Sequence, residues 1–473
     1  MKNLTTFILV LAGLMILVTS CDLIDVDPVS DPNNLDAAVV LENPSDGDLQ
    51  NLAIGLEAVN RNYNSATSGW WSLSGTISRE LYYINTSDPN FSQTWLQIPP
   101  VPVPAEDDNT FFVDASGYET PYFAIRHSNL LLESLENADF LSDAERNAYT
   151  GFASTLKAYQ FQMPLMHQYQ NGIRVDVTFA EPLEPGGFLS YDDALAEIRR
   201  ILNTAATNLE NAGDTFPFPL SEGFNGFMNP DDPITTGEML QINRAIAARY
   251  ALYAEDWQGA LNALEDSFLN LSTGQTESDL YVGPAHTFGG GNDLFNPYFF
   301  VDEANENLLI VPSPAFIADA EAGDMRIERK LDERTLPVEV NDLPDLSVAY
   351  QDGRFATATS SMPFIRNEEL LLIYAEANIQ LGGANLSDAV DAINIIRTAW
   401  GLDPYSGTVD QASLIDEMLN QRRYSLWGEG HRWVDMRRYD RLDEIDTSAD
   451  GGRVATQIGR PQGEIDWEAF DSQ

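Results

Sequence analysis

The side chains that most often perform enzyme chemistry are few in this sequence and lie far apart. Its four histidines are His127, His167, His286 and His431, and no two have the spacing of a helical zinc motif. There is no Gly-x-Ser-x-Gly nucleophile elbow, and the triple glycine at Gly289 lacks the Lys-Ser/Thr of a phosphate loop. We therefore predict no catalytic residue, no metal and no cofactor. Because the chain has 73 Asp and Glu residues, composition alone leaves glycoside hydrolysis open.

Two segments rich in aromatic residues and glycine have the composition of a carbohydrate-binding surface. A sugar ring presents flat apolar faces with hydroxyl groups at its rim, so it is bound by aromatic platforms flanked by polar groups. One segment runs from 69 to 95 and the other from 281 to 300. The predicted ligand contacts are Trp70, Trp71, Arg79, Tyr82, Trp95, Tyr281, Phe288, Asn292 and Tyr298. The alternative for each aromatic residue is a packing role, because aromatic side chains dominate the energetics of burial.

The only cysteine, Cys21, closes an apolar leader. Lys2 gives a positive start, Leu4 to Val18 is almost wholly apolar, and Thr19-Ser20 places small residues before the cysteine. This pattern looks like a bacterial lipobox, in which residues 1–20 are removed and Cys21 is acylated; the alternative is an ordinary signal peptide. The apolar run is shorter than the roughly 20 residues that cross a bilayer. A lipid anchor followed by an extended tether over 21–45 is therefore expected.

The charge balance excludes one class of partner. The 473 residues include 73 acidic and 26 basic side chains, which gives a net charge of −47. Phosphate backbones repel such a chain, so no nucleic-acid partner is expected. A single cysteine also excludes a disulfide framework. We interpret the acidity as a solvated surface suited to a salty habitat, which predicts a strong dependence of stability on salt.

Helical periodicity dominates the body of the chain and must position the two aromatic segments. Ser142 and Glu145 form a capping box before a predicted helix that extends towards Met163. Ser387 is the predicted N-cap of the helix that follows Gly382-Gly383. Other helices are predicted from Phe123 to Asn137, with Phe123 on the apolar stripe, from Ser190 to Leu209, from Gly237 to Tyr253, from Trp257 to Leu269, from Asn367 to Leu381 and from Gln411 to about Trp427.

Pairs of short helices, with small residues opposite large ones, resemble tetratricopeptide-type hairpins at 237–269 and 367–400. Long loops at 60–120, 210–236, 270–320 and 328–362 are long enough to carry function or small extra strands. The predicted fold class is mainly α.

An arginine cluster marks the C-terminal part of the chain. Six of the 23 arginines lie between 422 and 441, around a corner at Gly428 and Gly430. Interleaved carboxylates could pair with these guanidinium groups, which favours a structural ion-pair network over an anion site. The residues assigned to this network are Arg423, Glu429, Arg432, Trp433, Asp435 and Arg438. His431 and Asp435 have the spacing of an oriented base, but we assign them to the same network.

These motifs resemble the SusD/RagB family of lipoproteins. The run from Arg422 to Arg438 is similar to the family's C-terminal signature, Glu-Gly-x-Arg-Trp-x-Asp-Leu-x-Arg, with Met436 in place of Leu. Upstream, the run from Pro363 to Ala377 resembles a family helix of type Pro-x-x-Arg-x-x-Glu-x-x-Leu-x-x-Ala-Glu-Ala. The lipobox and the acidic residues behind Cys21, which are similar to a surface-export signal, fit the same family. The likeness covers most of the mature chain, but not the 60–120 loops.

The resemblance implies a mainly α, SusD-like fold with tetratricopeptide-type hairpins and a loop-rich ligand-binding face. Its domain would span 46–473, with an N-terminal part at about 46–320 and a C-terminal part at about 321–473. The protein would be lipid-anchored in the cell outer membrane, facing outside. It would bind a nutrient, expected to be an oligosaccharide, and deliver it uncleaved to a SusC-type TonB-dependent transporter. The alternatives are a peptide-binding receptor of the RagB type and a glycoside-processing enzyme.

Overall fold

Helices account for most of the chain that the structure describes. The computed structural model describes residues 37–88, 90–98, 115–178, 185–225, 232–291, 293–301, 307–339, 343 and 346–471. The predicted leader, Cys21 and the first part of the predicted tether lie outside these residues. The helices are α1 Ala37–Glu42, α2 Asp46–Val59, α3 Trp70–Ile77, α4 Asn90–Leu96, α5 Thr120–Ser134, α6 Asp143–Gln160, α7 Gln162–Gln168, α8 Tyr191–Glu210, α9 Thr236–Tyr253, α10 Trp257–Glu265, α11 Glu277–Leu280, α12 Pro314–Ala318, α13 Arg326–Lys330, α14 Asn367–Leu381, α15 Asn385–Ala399, α16 Gln411–Ser425, α17 Arg432–Arg438 and α18 Gln462–Asp471.

The long helices pack one after another in chain order. Helix α2 lies against α5, α5 against α6, α6 against α8, and α8 against α9. Helix α9 then packs on α10, α10 on α14, and α14 on α15 and α16. Each helix thus buries its apolar face mainly against its neighbours in this order, as in tetratricopeptide-type arrays. The prediction of a mainly α fold with helical hairpins at α9–α10 and α14–α15 is confirmed.

Short strands lie in the long loops, as the loop lengths allow. The strands are β1 Leu81–Asn85, β2 Ala285–His286, β3 Leu308–Pro312, β4 Leu331–Glu339, β5 Ser347–Asp352 and β6 Met362–Pro363. They form three antiparallel pairs, β1 with β3, β2 with β6, and β4 with β5. The β1–β3 pair fixes the loop after α3, and the β2–β6 pair fixes His286 opposite Met362.

The predicted capping box and the predicted glycine stops are present in the structure. The Ser142–Glu145 capping box is present at the start of α6, and Ser190 accepts a hydrogen bond from the Asp193 amide at the start of α8. Helix α14 ends at Gly382, whose φ of +67° favours glycine. Gly428 and Gly430 form the predicted corner between α16 and α17, with φ of +70° and +83°.

Three predictions about local structure are wrong. Ser387 lies inside the first turn of α15, because the helix begins at Asn385. Phe123 is exposed, because Ala124, Ile125 and Leu131 form the buried face of α5 instead. The tether is not extended to residue 45, since α1 lies within it and Val40 is buried in the main core. Burial of an apolar residue explains why this stretch is helical and packed.

Candidate functional site

The paired tryptophans of the first aromatic segment form the start of α3 and face inward. Trp70 and Trp71 are only 2% and 5% exposed. The Trp70 ring lies 6.2 Å from the Trp433 ring, and the Trp71 ring lies 5.4 Å from the Tyr298 ring. The two indoles therefore pack between α3, the corner at Gly428 and Gly430, and the second aromatic segment. Neither offers a free ring face to a ligand in this structure.

Trp95 is also packed against protein. Its ring is stacked on Tyr83 with centroids 5.3 Å apart, and Phe91 meets both rings edge-on. Trp95 and Tyr83 are buried, whereas Phe91 is partly exposed. Within this cluster only Phe91 has a ring surface that solvent can reach.

Arg79 and Tyr82 join the segment around β1 to a loop in the C-terminal part of the chain. Arg79 has a left-handed backbone with φ of +52° and is buried. Its guanidinium donates to both carboxylate oxygens of Asp450, at 3.0 and 2.8 Å, and to the carbonyl of Leu96 at 2.8 Å. The Tyr82 hydroxyl donates to the same carboxylate at 3.2 Å. These predicted ligand residues thus have protein partners, and their bonds attach a C-terminal loop to the segment around β1.

The second aromatic segment divides into buried rings and an open edge. Tyr298 is fully buried and donates to the Asn64 side chain at 2.9 Å. Phe288 is buried beneath Arg61, and Tyr281 is half-buried beneath Arg366. Asn292 lies outside the described residues. Burial favours the packing role for Tyr298 and Phe288, because their rings contact protein on most of their surface.

A cleft of about 240 Å³ opens between the second half of α2 and the start of this segment. It lies where the C-terminal turn of α2 meets the loop before β2 and the residues after it. Two carboxylates, one guanidinium, one imidazole and two hydroxyl groups reach its wall. The lining residues are Ile54, Glu57, Ala58, Arg61, Ser221, Phe224, Ala285, His286, Thr287 and Asp293.

An ion pair forms the polar rim of the cleft. Arg61 binds both oxygens of Asp293 and also donates to the Thr287 carbonyl. Asp293 accepts a further bond from the Gly289 amide at 2.8 Å. The hydrogen bond from Arg61, with help from backbone amides, lowers the pKa of Asp293 to about 2. The Asp293 carboxylate is therefore ionised at neutral pH and is 41% exposed.

The pKa values of Glu57 and His286 are shifted mainly by burial, unlike that of Asp293. Burial raises the pKa of Glu57, although its carboxylate accepts the Ser221 amide at 3.0 Å. Burial, followed by the charge of Arg61, lowers the pKa of His286 to about 3. The imidazole is therefore neutral, and the cleft presents oxygen acceptors beside a neutral ring.

An exposed aromatic ring follows the ion pair in the chain. Phe295 is 56% exposed, and Leu294 and Val301 nearby in sequence are also exposed. A side chain at Gly290, which has φ of +64°, would come within 2.8 Å of the Phe295 ring. Sequence reasoning identified the segment but missed this ring. The available signal was the Leu294-Phe295 pair directly after a glycine-rich turn and an aspartate.

The C-terminal arginine cluster is a buried ion-pair network. Asp435 accepts from Arg422 at 2.7 Å and pairs with Arg438 at 3.0 Å. Arg438 also pairs with Glu376. The remaining contacts are Arg366 with Glu429, Arg423 with Asp319 at 2.9 Å, and the Trp433 indole with the Ala455 carbonyl at 2.7 Å. These bonds lock α17 against α14 and α16.

His431 and Arg432, two members of the predicted network, have pKa values that burial lowers. His431 lies 3.9 Å from Glu369, and burial lowers its pKa to about 4. Burial, followed by the charge of Arg423, lowers the pKa of Arg432 to about 10. Because His431 is neutral, it forms no ion pair with Asp435, and the carboxylate within 4.0 Å of its imidazole is that of Glu369 on α14.

Comparison with known proteins agrees with this architecture. A family model described as SusD family matches residues 346–468, which include every residue of the ion-pair network except Asp319. A SusD superfamily protein from Bacteroides vulgatus has 18% identity and a TM-score of 0.62, covering 87% of this chain and 92% of its own. The chain has a SusD-like fold. No curated protein matches it.

Two further structures resemble the SusD-like chain along most of its length. Surface glycan-binding protein A from Bacteroides uniformis has 18% identity and a TM-score of 0.64, covering 89% of this chain and 98% of its own. Surface glycan-binding protein A from Bacteroides thetaiotaomicron, in complex with laminarihexaose, has 13% identity and a TM-score of 0.63. That likeness covers 89% of this chain and 97% of the other. At these identities the likeness establishes the fold.

The groove along α8 lacks the combination of side chains found in the cleft. A shallow groove of about 630 Å³ along α8 is lined by Arg199, Arg200 and neutral polar residues, without an aromatic ring. Arg199 pairs with Asp256, and Arg200 pairs with Glu197. Within the described ranges there is no cluster of three or more metal-ligating side chains. Over the same residues, no helix combines the length and apolarity needed to cross a bilayer.

Proposed function

We propose that this SusD-like protein binds an oligosaccharide at the cleft beside Arg61 and Asp293 and passes it to a SusC-type TonB-dependent transporter. In this proposal Cys21 carries the lipid that holds the protein at the cell outer membrane, facing outside. The observation that carries the proposal is the cleft itself, which combines carboxylates and a guanidinium on a fold similar to that of a laminarihexaose-bound protein. The exposed ring of Phe295 follows the cleft residue Asp293 by two positions in the chain.

The cleft supplies the groups that a sugar requires. Asp293 can accept hydrogen bonds from ring hydroxyls, and the exposed Phe295 face can pack on their C–H surface. Pockets for drug-sized ligands measure about 300–1,000 Å³, so a cleft of about 240 Å³ suits one sugar ring of a longer chain. The rest of an oligosaccharide would extend past Phe295.

The charge of the site favours a neutral glycan. Arg61 and Asp293 neutralise each other, and Glu57 is a further acid in the wall. The chain as a whole carries −47. Uronic or sulfated glycans would therefore meet no unpaired cation among the cleft-lining residues and would be repelled by the surrounding field.

Binding without cleavage is part of the proposal. Glu57 and Asp293 have pKa values displaced in opposite directions, as do the acid and the nucleophile of many glycosidases. Both carboxylates are, however, held by protein donors: Glu57 by the Ser221 amide, and Asp293 by Arg61 and Gly289. These partners support a binding role, and incubation with glycan followed by product analysis tests it.

The binding experiment uses soluble residues 22–473 and titration calorimetry with laminarihexaose and other neutral oligosaccharides. Phe295→Ala should weaken binding about tenfold, the order expected for a lost aromatic contact. Phe140→Ala is the matched control, because Phe140 is equally exposed but lies after α5. Equal affinities for the wild type and Phe295→Ala would place the ligand elsewhere.

The lipid anchor and the delivery of the ligand to the transporter are tested with the full chain in cells. Cys21→Ser should move the protein from the membrane fraction to the soluble fraction, because the acyl chain is then absent. Co-purification of the wild-type chain with a TonB-dependent barrel would support delivery. Retention of the Cys21→Ser protein in the membrane fraction would contradict the anchor.

A further inference from the structure

His286 connects the cleft to a buried chain of hydrogen-bonding side chains. Its ring is stacked on Phe364, with centroids 4.9 Å apart and planes 26° from parallel. Its Nε2 lies 2.8 Å from the Tyr63 hydroxyl, behind the cleft wall. Because Nε2 is engaged inward, Nδ1 is the only other polar atom that His286 can present to a ligand.

The chain continues from Tyr63 into the protein interior. The hydroxyl groups of Tyr63 and Tyr159 are 2.5 Å apart, and the guanidinium carbon of Arg249 lies 5.9 Å from the centroid of the Tyr159 ring. Arg249 is itself fixed by Glu369 at 2.6 Å, by Gln162 at 2.7 Å and by the Phe364 carbonyl at 2.9 Å. All members of this chain are buried, so their geometry is constrained by packing.

The cation at the inner end sets the direction of the protons. Within the described residues the Tyr159 hydroxyl has Tyr63 as its hydrogen-bond partner, and the nearby Arg249 guanidinium offers no acceptor, so the Tyr159 proton points to Tyr63. The Tyr63 proton then points to Nε2 of His286. Burial and the charge of Arg61 lower the pKa of His286 to about 3, so the ring is neutral and carries a single proton. That proton is left on Nδ1.

We propose that Tyr63 and Tyr159 hold His286 in the Nδ1–H tautomer, and that this N–H group donates to an acceptor oxygen of the ligand in the cleft. The inference rests on the function proposed above for the cleft. Glu57 and Asp293 are acceptors and recognise hydroxyl donors, whereas the ring and glycosidic oxygens of a sugar can only accept. His286 thus supplies the complementary donor, and Tyr63 is the positioning residue for it.

The tautomer is measured on the free protein. With ¹⁵N-labelled histidine in residues 22–473, NMR should show His286 protonated on Nδ1 and unprotonated on Nε2. In Tyr63→Phe, which removes the hydroxyl but keeps the ring, the signal should shift towards a mixture of tautomers. A wild-type His286 protonated on Nε2 would overturn the inference, and so would a Tyr63→Phe spectrum identical to that of the wild type.

Two substitutions of His286 test which of its ring nitrogens donates to the ligand. The amide nitrogen of His286→Asn can take the place of Nδ1, whereas the amide of His286→Gln reaches the position of Nε2. With laminarihexaose as the probe, His286→Asn should bind about tenfold more tightly than His286→Gln, the scale of one hydrogen bond. Equal affinities, or the reverse order, would overturn the donor role. Thermal melts of both variants check that each is folded.

The outcomes distinguish this inference from the proposed function. If the wild type binds none of the neutral oligosaccharides while NMR shows the Nδ1–H tautomer, the function proposed for the cleft fails, and the donor role fails with it. If laminarihexaose binds but the tautomer is reversed, only the present inference fails.

Discussion

Replacing Asp450 by Asn should destabilise the fold strongly while leaving the ligand cleft intact. The side chains of Arg79 and Asp450 are 3% and 0% exposed, and the pair is bidentate at 3.0 and 2.8 Å. Asp450→Asn keeps the shape of the side chain but leaves the Arg79 cation buried without a carboxylate. Removing one partner of a buried ion pair costs about 3–5 kcal/mol of unfolding free energy.

The expected shift in melting temperature follows from the size of the chain. The entropy of unfolding is about 2.1 cal/mol/K per residue, so a chain of 473 residues that unfolds as one unit has an unfolding entropy of about 1 kcal/mol/K. A loss of about 3–5 kcal/mol thus lowers the melting temperature by about 3–5 °C. Differential scanning calorimetry of residues 22–473 measures this shift.

The control for this prediction is Asp443→Asn. It removes the same charge from an exposed position seven residues earlier in the chain and should change the melting temperature little. Glycan affinity, measured for the same proteins, separates the structural role from a ligand-binding role. An Asp450→Asn protein with wild-type melting temperature and no glycan binding would refute the structural assignment of Arg79 and restore it as a ligand residue.

Three further predictions concern charge and backbone. Burial raises the pKa of Glu80 to about 7, so the folded state holds a proton that the unfolded state releases above about pH 4.5. Stability should therefore fall as the pH rises from about 4.5 to 7, and Glu80→Gln should flatten this decline and raise the melting temperature at pH 8; a lower melting temperature there would contradict it. Gly428→Ala should cost about 1–3 kcal/mol in denaturant unfolding, because φ is +70° and the new Cβ would lie 2.6 Å from Arg354, whereas Gly187→Ala, in open space, should cost little. Because the net charge is −47, the melting temperature should rise steeply between about 0.05 and 1 M NaCl, and a flat response would refute the interpretation of the acidity as a surface suited to salt.

The helices were predictable because their signals are local. The capping box at Ser142 and Glu145 and the positive-φ glycine after α14 each depend on residues within one or two turns. The same locality explains the errors at Ser387 and Phe123. A serine occurs inside the first turn of a helix as well as at its N-cap, and Ser387 is inside the turn. On α5 the predicted apolar stripe begins at Phe123, whereas the buried stripe begins one residue later, at Ala124.

The candidate site was harder to predict because exposure is decided by distant contacts. Trp70 is buried by Trp433, and Arg79 finds its carboxylate 371 residues away in the chain. Phe295 and Tyr298 are three residues apart in one segment, yet one is exposed and the other is fully buried on Asn64. Composition identified the second aromatic segment, but only tertiary packing shows which of its rings solvent can reach.

The most direct test of the proposed cleft is a crystal structure of residues 22–473 grown with laminarihexaose. The account predicts a sugar ring between α2 and Asp293, with its apolar face on Phe295 and an acceptor oxygen at His286. A sugar stacked on Trp70 or Trp71, after an opening of α3 from the glycine corner, would contradict it.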